Sequence, residues 1–117
     1  MIIIAARLED GPGSGVAEKR FCAEMKRMGP PEEFMEDIRR RGCIAGEHRA
    51  YMVAKCLTGH KVVFVSRGNG RLMRGMPFAH FETVAEALEY ADAATGRDSR
   101  IYVIPHALST IARLADI

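Results

Sequence analysis

Apolar residues fall along the chain in two alternating patterns, short continuous runs and stripes of helical period. Ile2-Ile-Ile-Ala5 is a continuous, mostly β-branched run and predicts a strand buried on both faces. Asp10-Gly-Pro-Gly-Ser-Gly15 is a loop by composition. From Val16 the period changes. Val16, Phe21, Met25 and Met28 share one face of a helix, with Glu18, Lys19, Arg20 and Lys26 mostly elsewhere. Gly29-Pro30-Pro31 breaks that helix, and Pro31 suits the first position of another. Its buried stripe is Phe34, Met35 and Ile38. Glu32 and Glu33 in its first turn, Arg39 to Arg41 in its last and Gly42 beyond complement a helix macrodipole.

Ala50, Val53, Ala54 and Leu57 recur at i, i+3, i+4 and i+7 and predict a third amphipathic helix. Lys61-Val-Val-Phe-Val65 reads as a second buried strand, Ser66 to Gly70 as a loop and Arg71 to Met76 as one helical turn. Phe78 to Phe81 suits a short edge strand. Thr83-Val-Ala-Glu86 is a capping box that opens a helix over 84–94, ended by Gly96. Ile101-Tyr-Val-Ile104, stopped by Pro105, predicts the last strand. A short helix is expected from Ser109, carrying Ile111, Leu114 and Ile117. Apolar strands alternating with helices imply a parallel sheet covered on both faces. The expected fold is α/β, a small three-layer Rossmann-like sandwich with a mostly parallel sheet of three to four strands. The first core strand begins at the second residue with no lead-in, which suggests part of something longer or a surface meant for a partner.

The 117 residues fit one domain, 1–117, able to fold without staples. A charge of +2, interspersed along the chain, gives no case for nucleic acid. No apolar run reaches the ~18 residues that span a bilayer. Cys22, Cys43 and Cys56 are odd in number and form no Cys-x-x-Cys, so neither a disulfide framework nor a zinc site is suggested. A cytoplasmic location follows as the simple expectation.

Candidate chemistry is sparse. Gly11-Pro-Gly-Ser-Gly15 sits between a strand and a helix, where backbone N–H groups can approach an anion. Its G-x-G-x-G spacing is not the dinucleotide fingerprint, and no Walker lysine follows. A turn needing positive φ explains the same glycines. Ser66 to Gly70 lies at the carboxyl edge of the sheet, where Arg67 and Arg71 could hold a carboxylate or phosphate; a solvated loop is the plainer reading. His48, His60, His80 and His106 match no metal-ligand spacing. His60 and His106 read as surface residues flanking strand ends. His48, in the first turn of the third helix, has free N–H groups nearby and suits a neutral imidazole bonded to a carboxylate or carbonyl. An exposed polar residue at a helix start is the plainer reading.

Several segments, in order, carry a resemblance to a known family. They are Ile2-Ile-Ile-Ala-Ala with Asp10-Gly-Pro-Gly13, Pro31-Glu-Glu-Phe34, Gly46-Glu-His-Arg-Ala50 with Ala54-Lys55, and His60-Lys-Val-Val-Phe-Val-Ser66. Phe78 to Leu88 and Ile101-Tyr-Val-Ile-Pro105 complete them. Together they resemble the C-terminal domain of the nickel-pincer lactate racemases, a family that includes other 2-hydroxyacid racemases and epimerases. The stretch around His48 is similar to a variant in which histidine replaces the tryptophan of the lactate racemases. The resemblance implies an isomerase whose N-terminal domain holds the nickel-pincer nucleotide, catalytic histidines and lysine linkage, and moves hydride reversibly at the substrate α-carbon. It implies no cofactor within this chain. Substrate contacts are implied at His48, with Gly11 and Gly13 in the turn after the first strand. The family's Gln and Lys contacts, on a helix before that strand, have no counterpart here. Its aromatic residue after the glycine turn falls on Val16 or Phe21, which leaves the register of the first helix open.

Three readings are open on the sequence. The first is a substrate-cleft lid, inactive alone, that closes over an N-terminal racemase domain or subunit and a small 2-hydroxyacid. The second is a standalone small-anion or nucleotide-binding module. The third is a ligand-free interaction domain, for example a homodimer burying the face beside Ile2 to Ala5.

Overall fold

The structure is a computed structural model that describes residues 1–115. Three parallel strands form the sheet in the order β1-β2-β3, with β1 at Ile2–Ala5, β2 at Val62–Val65 and β3 at Ala79–Phe81. Ile3 pairs with Val63, and Val63 with Ala79. Between β1 and β2 run α1 (Val16–Arg27), α2 (Pro31–Arg41) and α3 (Glu47–Leu57). A single turn, α4 (Gly70–Met73), precedes β3, and α5 (Val84–Thr95) follows it.

Helices cover both faces of the sheet. On one side Met25, Met28, Phe34, Met35, Ile38, Ala50 and Ala54 form the core among α1, α2 and α3. Phe78 packs against that core and meets Phe64 of β2 at 5.0 Å between ring centroids. On the other side Val63 and Val65 pack with Ala87 of α5, joined by Ile3, Phe81 and Tyr90. The alternation of β2 side chains thus feeds two cores, and Val63 is fully buried.

The helix boundaries follow their local chemistry. Pro31 opens α2, and Gly42, at φ 87°, closes it by donating its N–H to Ile38 O at 2.9 Å. Thr83 caps α5 reciprocally: Glu86 N–H reaches Thr83 Oγ1 at 3.2 Å and Thr83 N–H reaches Glu86 Oε2 at 2.9 Å. Those bonds, with the Thr83 hydroxyl first, hold the Glu86 carboxyl below its ordinary value.

Four expectations are corrected. The strand β1 is an edge strand with one neighbour, so Ile2 and Ile4 keep 37% and 38% of their surface exposed and are not buried on both faces. Val16 is exposed because Ala17 beside it is the residue turned toward α3. Ile101–Ile104 is not a strand: Ser99 to Tyr102 passes β1 and α5 across an open gap, and β-propensity without a reachable edge in register makes no ladder. The expected C-terminal helix is only a 3-10 turn, Ala107–Ser109, with residues 110–115 irregular and exposed. Ile117 lies outside the described residues.

Candidate functional site at the carboxyl edge

Parallel pairing brings the carboxyl ends of all three strands to one edge of the sheet. The loop after β1 is bound to the loop after β2 by Asn69, whose Nδ2 donates to Arg7 O at 2.9 Å and Arg67 O at 3.2 Å. Ala6 N–H reaches Val65 O, and Ser66 N–H reaches Phe81 O, both at 3.1 Å. His80 Nε2 lies 2.8 Å from the buried Ser66 carbonyl and 3.4 Å from its hydroxyl. A carbonyl only accepts, so the Nε2 proton is committed to it. The Ser66–His80 pair therefore fixes loop to strand and supplies no base at Nε2 to activate the hydroxyl.

The glycine loop is built of tight turns. Gly11 N–H donates to Leu8 O and Gly13 N–H to Asp10 O, both at 3.1 Å, with φ of 54° and 80° at the two glycines. Glu18 then reaches back to accept the Gly15 N–H at 2.8 Å, and its carboxylate lies against Gly13. The place where a phosphate would meet the start of α1 is held by the protein's own carboxylate. Gly11 and Gly13 spend their amides within the loop, so what they contribute to this edge is shape.

The start of α3 is tied more firmly. Gly46 is left-handed, at φ 92°, and packs so closely on the Ala17 carbonyl that a Cβ there would collide with it. Arg20 Nη1 donates to Ala45 O at 2.6 Å. Glu47 is 2% exposed, accepts from Arg41 at 2.7 and 3.0 Å and takes the Ile44 N–H at 2.9 Å. Arg41 hydrogen bonds, helped by the Ile44 amide, hold the Glu47 carboxyl below its ordinary value although burial opposes this. The same two acids, Glu47 and Asp37, raise Arg41 still further above its ordinary value. His48 is the next residue, exposed on the first turn of α3 beside the first turn of α1.

The Gly46–Ala17 contact brings the start of α3, which carries His48, to the helix that the Gly11–Gly15 loop opens, while His60 and His106 lie elsewhere. His60 is exposed at the far end of α3, its Nδ1 3.2 Å from Cys56 O, and His106 lies exposed near the C-terminus. Among the described residues no group of three or more His, Cys, Asp or Glu is placed to hold a metal ion. The buried Glu47–Arg41 pair was not found from sequence, where Arg41 had a sufficient dipole explanation at the end of its helix and Glu47 was given no role. The signal in the sequence was the tight spacing Arg41-Gly-Cys-Ile-Ala-Gly-Glu47, too short for either side chain to be far from the other. A depression of about 340 Å³, lined by Gly29, Pro31, Leu57, His60 and Val62 among others, lies at the opposite, amino edge. Cys22, Cys43 and Cys56 are free, and burial pushes the Cys22 thiol up. No helix among the described residues is long and apolar enough to cross a membrane.

Comparison with known proteins agrees with this architecture. A family pattern described as the lactate racemase C-terminal domain matches residues 1–112. The lactate racemase of Thermoanaerobacterium thermosaccharolyticum is 32% identical over an alignment that covers 97% of this chain and 26% of that protein. The solved structure of the lactate racemase apoprotein from the same organism superposes with a TM-score of 0.82 at 31% identity, over 97% of this chain and 27% of the solved one. The chain therefore spans about a quarter of the length of the relatives it matches. Sequence pattern and fold agree over nearly the whole chain, and the chain belongs to the lactate racemase C-terminal domain family.

Proposed function

We propose that this domain is one wall of the substrate cleft of a nickel-pincer-dependent 2-hydroxyacid racemase or epimerase, inactive alone and closed over an N-terminal domain or subunit. The supporting observation is the Gly46–Ala17 crossing, which sets exposed His48 beside the α1 start that the Gly11 and Gly13 turns lead into. His48 is the substrate-facing residue, and the two glycines shape the wall next to it. The nickel-pincer nucleotide would supply reversible hydride transfer at the substrate α-carbon. On this reading the nickel-pincer nucleotide is held by the other domain. This chain's part is to orient the substrate and exclude water. Three free thiols fit a cytoplasmic setting.

A histidine donates or accepts one hydrogen bond in less volume than an indole, so the expected substrate is bulkier or more hydroxylated than lactate. The test is His48→Trp in the intact enzyme. The ratio of kcat/KM for lactate to that for a larger hydroxyacid should rise about tenfold or more, the scale on which pockets sort small groups. An unchanged substrate range counts against the assignment.

A further inference from the structure

The C-terminal arm, residues 97–115, is the largest feature that the site leaves unexplained. Ile101, Tyr102, Val103, Leu108, Ile111 and Leu114 are between 66% and 107% exposed. Six large apolar side chains exposed within fourteen residues are a concentration that scattered surface hydrophobics do not explain. Within the arm, Ile101–Ile104 are four consecutive β-formers. Among the described residues they make no backbone hydrogen bond, and side chains of both alternating sets are exposed. Such a segment has the character of a strand without a sheet. Its neighbours are β1 and α5, across an open gap of about 420 Å³ lined by Met1, Ile3, Leu88, Ala91 and Thr95.

We propose that this arm is the docking surface for the remaining three-quarters of a racemase chain, with Ile101–Ile104 as its central contact. The inference rests on the reading of the domain as one wall of a two-part enzyme. Two observations select that occupant. The family pattern extends to residue 112, so the arm is part of the domain and not an appendage. The solved racemase superposes over 97% of this chain yet is matched along only 27% of its own length. The rest of such a polypeptide is therefore present wherever the domain occurs in that enzyme, and a surface this apolar needs a cover of comparable size. A second copy of the chain is the competing occupant.

The test is hydrogen exchange at the amides of Ile101 to Ile104. The isolated 117-residue chain is compared with a chimera in which it replaces the segment it matches in the T. thermosaccharolyticum lactate racemase. The arm should exchange freely in the isolated chain and slow by about tenfold or more in the chimera, as expected when a locally open segment becomes structured. Equal rates in the two overturn the proposal. So does protection that rises with the concentration of the isolated chain and disappears in the variant Ile101→Ser/Val103→Ser, which assigns the arm to a second copy. If the chimera does not fold, the same comparison on the intact racemase and its excised matching segment separates the same outcomes. None of these measurements uses turnover. A protected arm with an unchanged substrate range in His48→Trp therefore spares this inference and sinks the cleft assignment, and the converse result does the reverse.

Discussion

Removing the Glu47 carboxylate tests the packing at the start of α3 most directly. The group is 2% exposed and accepts three hydrogen bonds, two from Arg41 at 2.7 and 3.0 Å and one from Ile44 N–H at 2.9 Å. Breaking a buried ion pair from one side typically costs about 3–5 kcal/mol, because the other charge is stranded. Here Arg41 keeps Asp37 at 2.8 Å and part of its solvent, so the stranding is incomplete. What is lost is the desolvated carboxylate with its bonds, and the Ile44 amide is left unpaired. Glu47→Ala should therefore cost about 2–3 kcal/mol, and Glu47→Gln, which retains an acceptor, about 1–2. In a domain of this size the alanine variant's melting temperature should fall by about 10 °C. Urea unfolding followed by circular dichroism gives the free energies. An alanine variant within about 0.5 kcal/mol of the parent, the usual range for a surface change, would refute the reading of Glu47 as buried and bonded.

The pH dependence separates charge from packing. The folded Glu47 carboxyl sits below its ordinary value of 4.5, chiefly through Arg41. The unfolded chain therefore takes up the proton first on acidification, and the stabilisation is complete above the unfolded value and lost as pH falls through the folded one. Asp37 is also lowered, by Arg41 and Arg40, so the parent alone mixes two carboxyls. The difference between parent and Glu47→Gln isolates one. It should be largest near pH 7 and shrink below about pH 5; a constant difference would mean that geometry alone is being measured.

Gly46→Ala should destabilise by about 2 kcal/mol or more, since it adds a backbone collision with Ala17 to the left-handed strain, while Gly42→Ala, with open space around it, should cost about 1. Chemical denaturation of the pair measures the steric part as their difference. Thr83→Ala should cost about 0.5–2 kcal/mol and Thr83→Ser little, if the reciprocal cap holds the start of α5. Met25→Ala should cost about 2–5 kcal/mol, as expected for a fully buried side chain at the meeting of three helices, with thermal unfolding as the check.

The elements legible in sequence were those whose signals are local. Pro31, the acid-to-base gradient of α2 and Gly42 each act within one turn, and the helix forms between them. The Thr83–Glu86 box did the same for α5. Ile2–Ala5 and Ile101–Ile104 are both short apolar runs rich in β-formers, but one found a partner in β2 and the other did not. Propensity supplies an extended backbone; pairing depends on which edge the chain can reach, and that is a tertiary fact. Burial of β1 was overestimated for the same reason, since an apolar run does not reveal whether its strand is central or at an edge. At the candidate site His48 was legible as a helix-start residue. The Gly46 contact with Ala17 was not, because it joins residues 29 positions apart.

The position of His48 is decided by topology more than by the residues around it. Parallel strands require the connection from β1 to β2 to return to the amino edge, and three helices do so by running down, up and down. Both α1 and α3 then start at the carboxyl edge, while Gly29, Pro31, Leu57 and His60 gather at the other, where they line one depression. The starts of α1 and α3, which share this edge with the Thr83-capped start of α5, would ordinarily favour a bound anion. Glu18 already takes the N-cap amide of α1 at Gly15, and the Glu47 carboxylate stands in the first turn of α3, bonded to Arg41 and the Ile44 amide. On the proposed cleft-wall reading, ligand recognition at this edge therefore falls to side chains. His48 follows Glu47, and the buried Glu47–Arg41 pair with the Gly46 crossing on Ala17 fixes the backbone at the start of α3 that carries it. A substrate-facing residue on backbone fixed that way would discriminate by shape and by hydrogen bonding, as the proposed cleft wall requires.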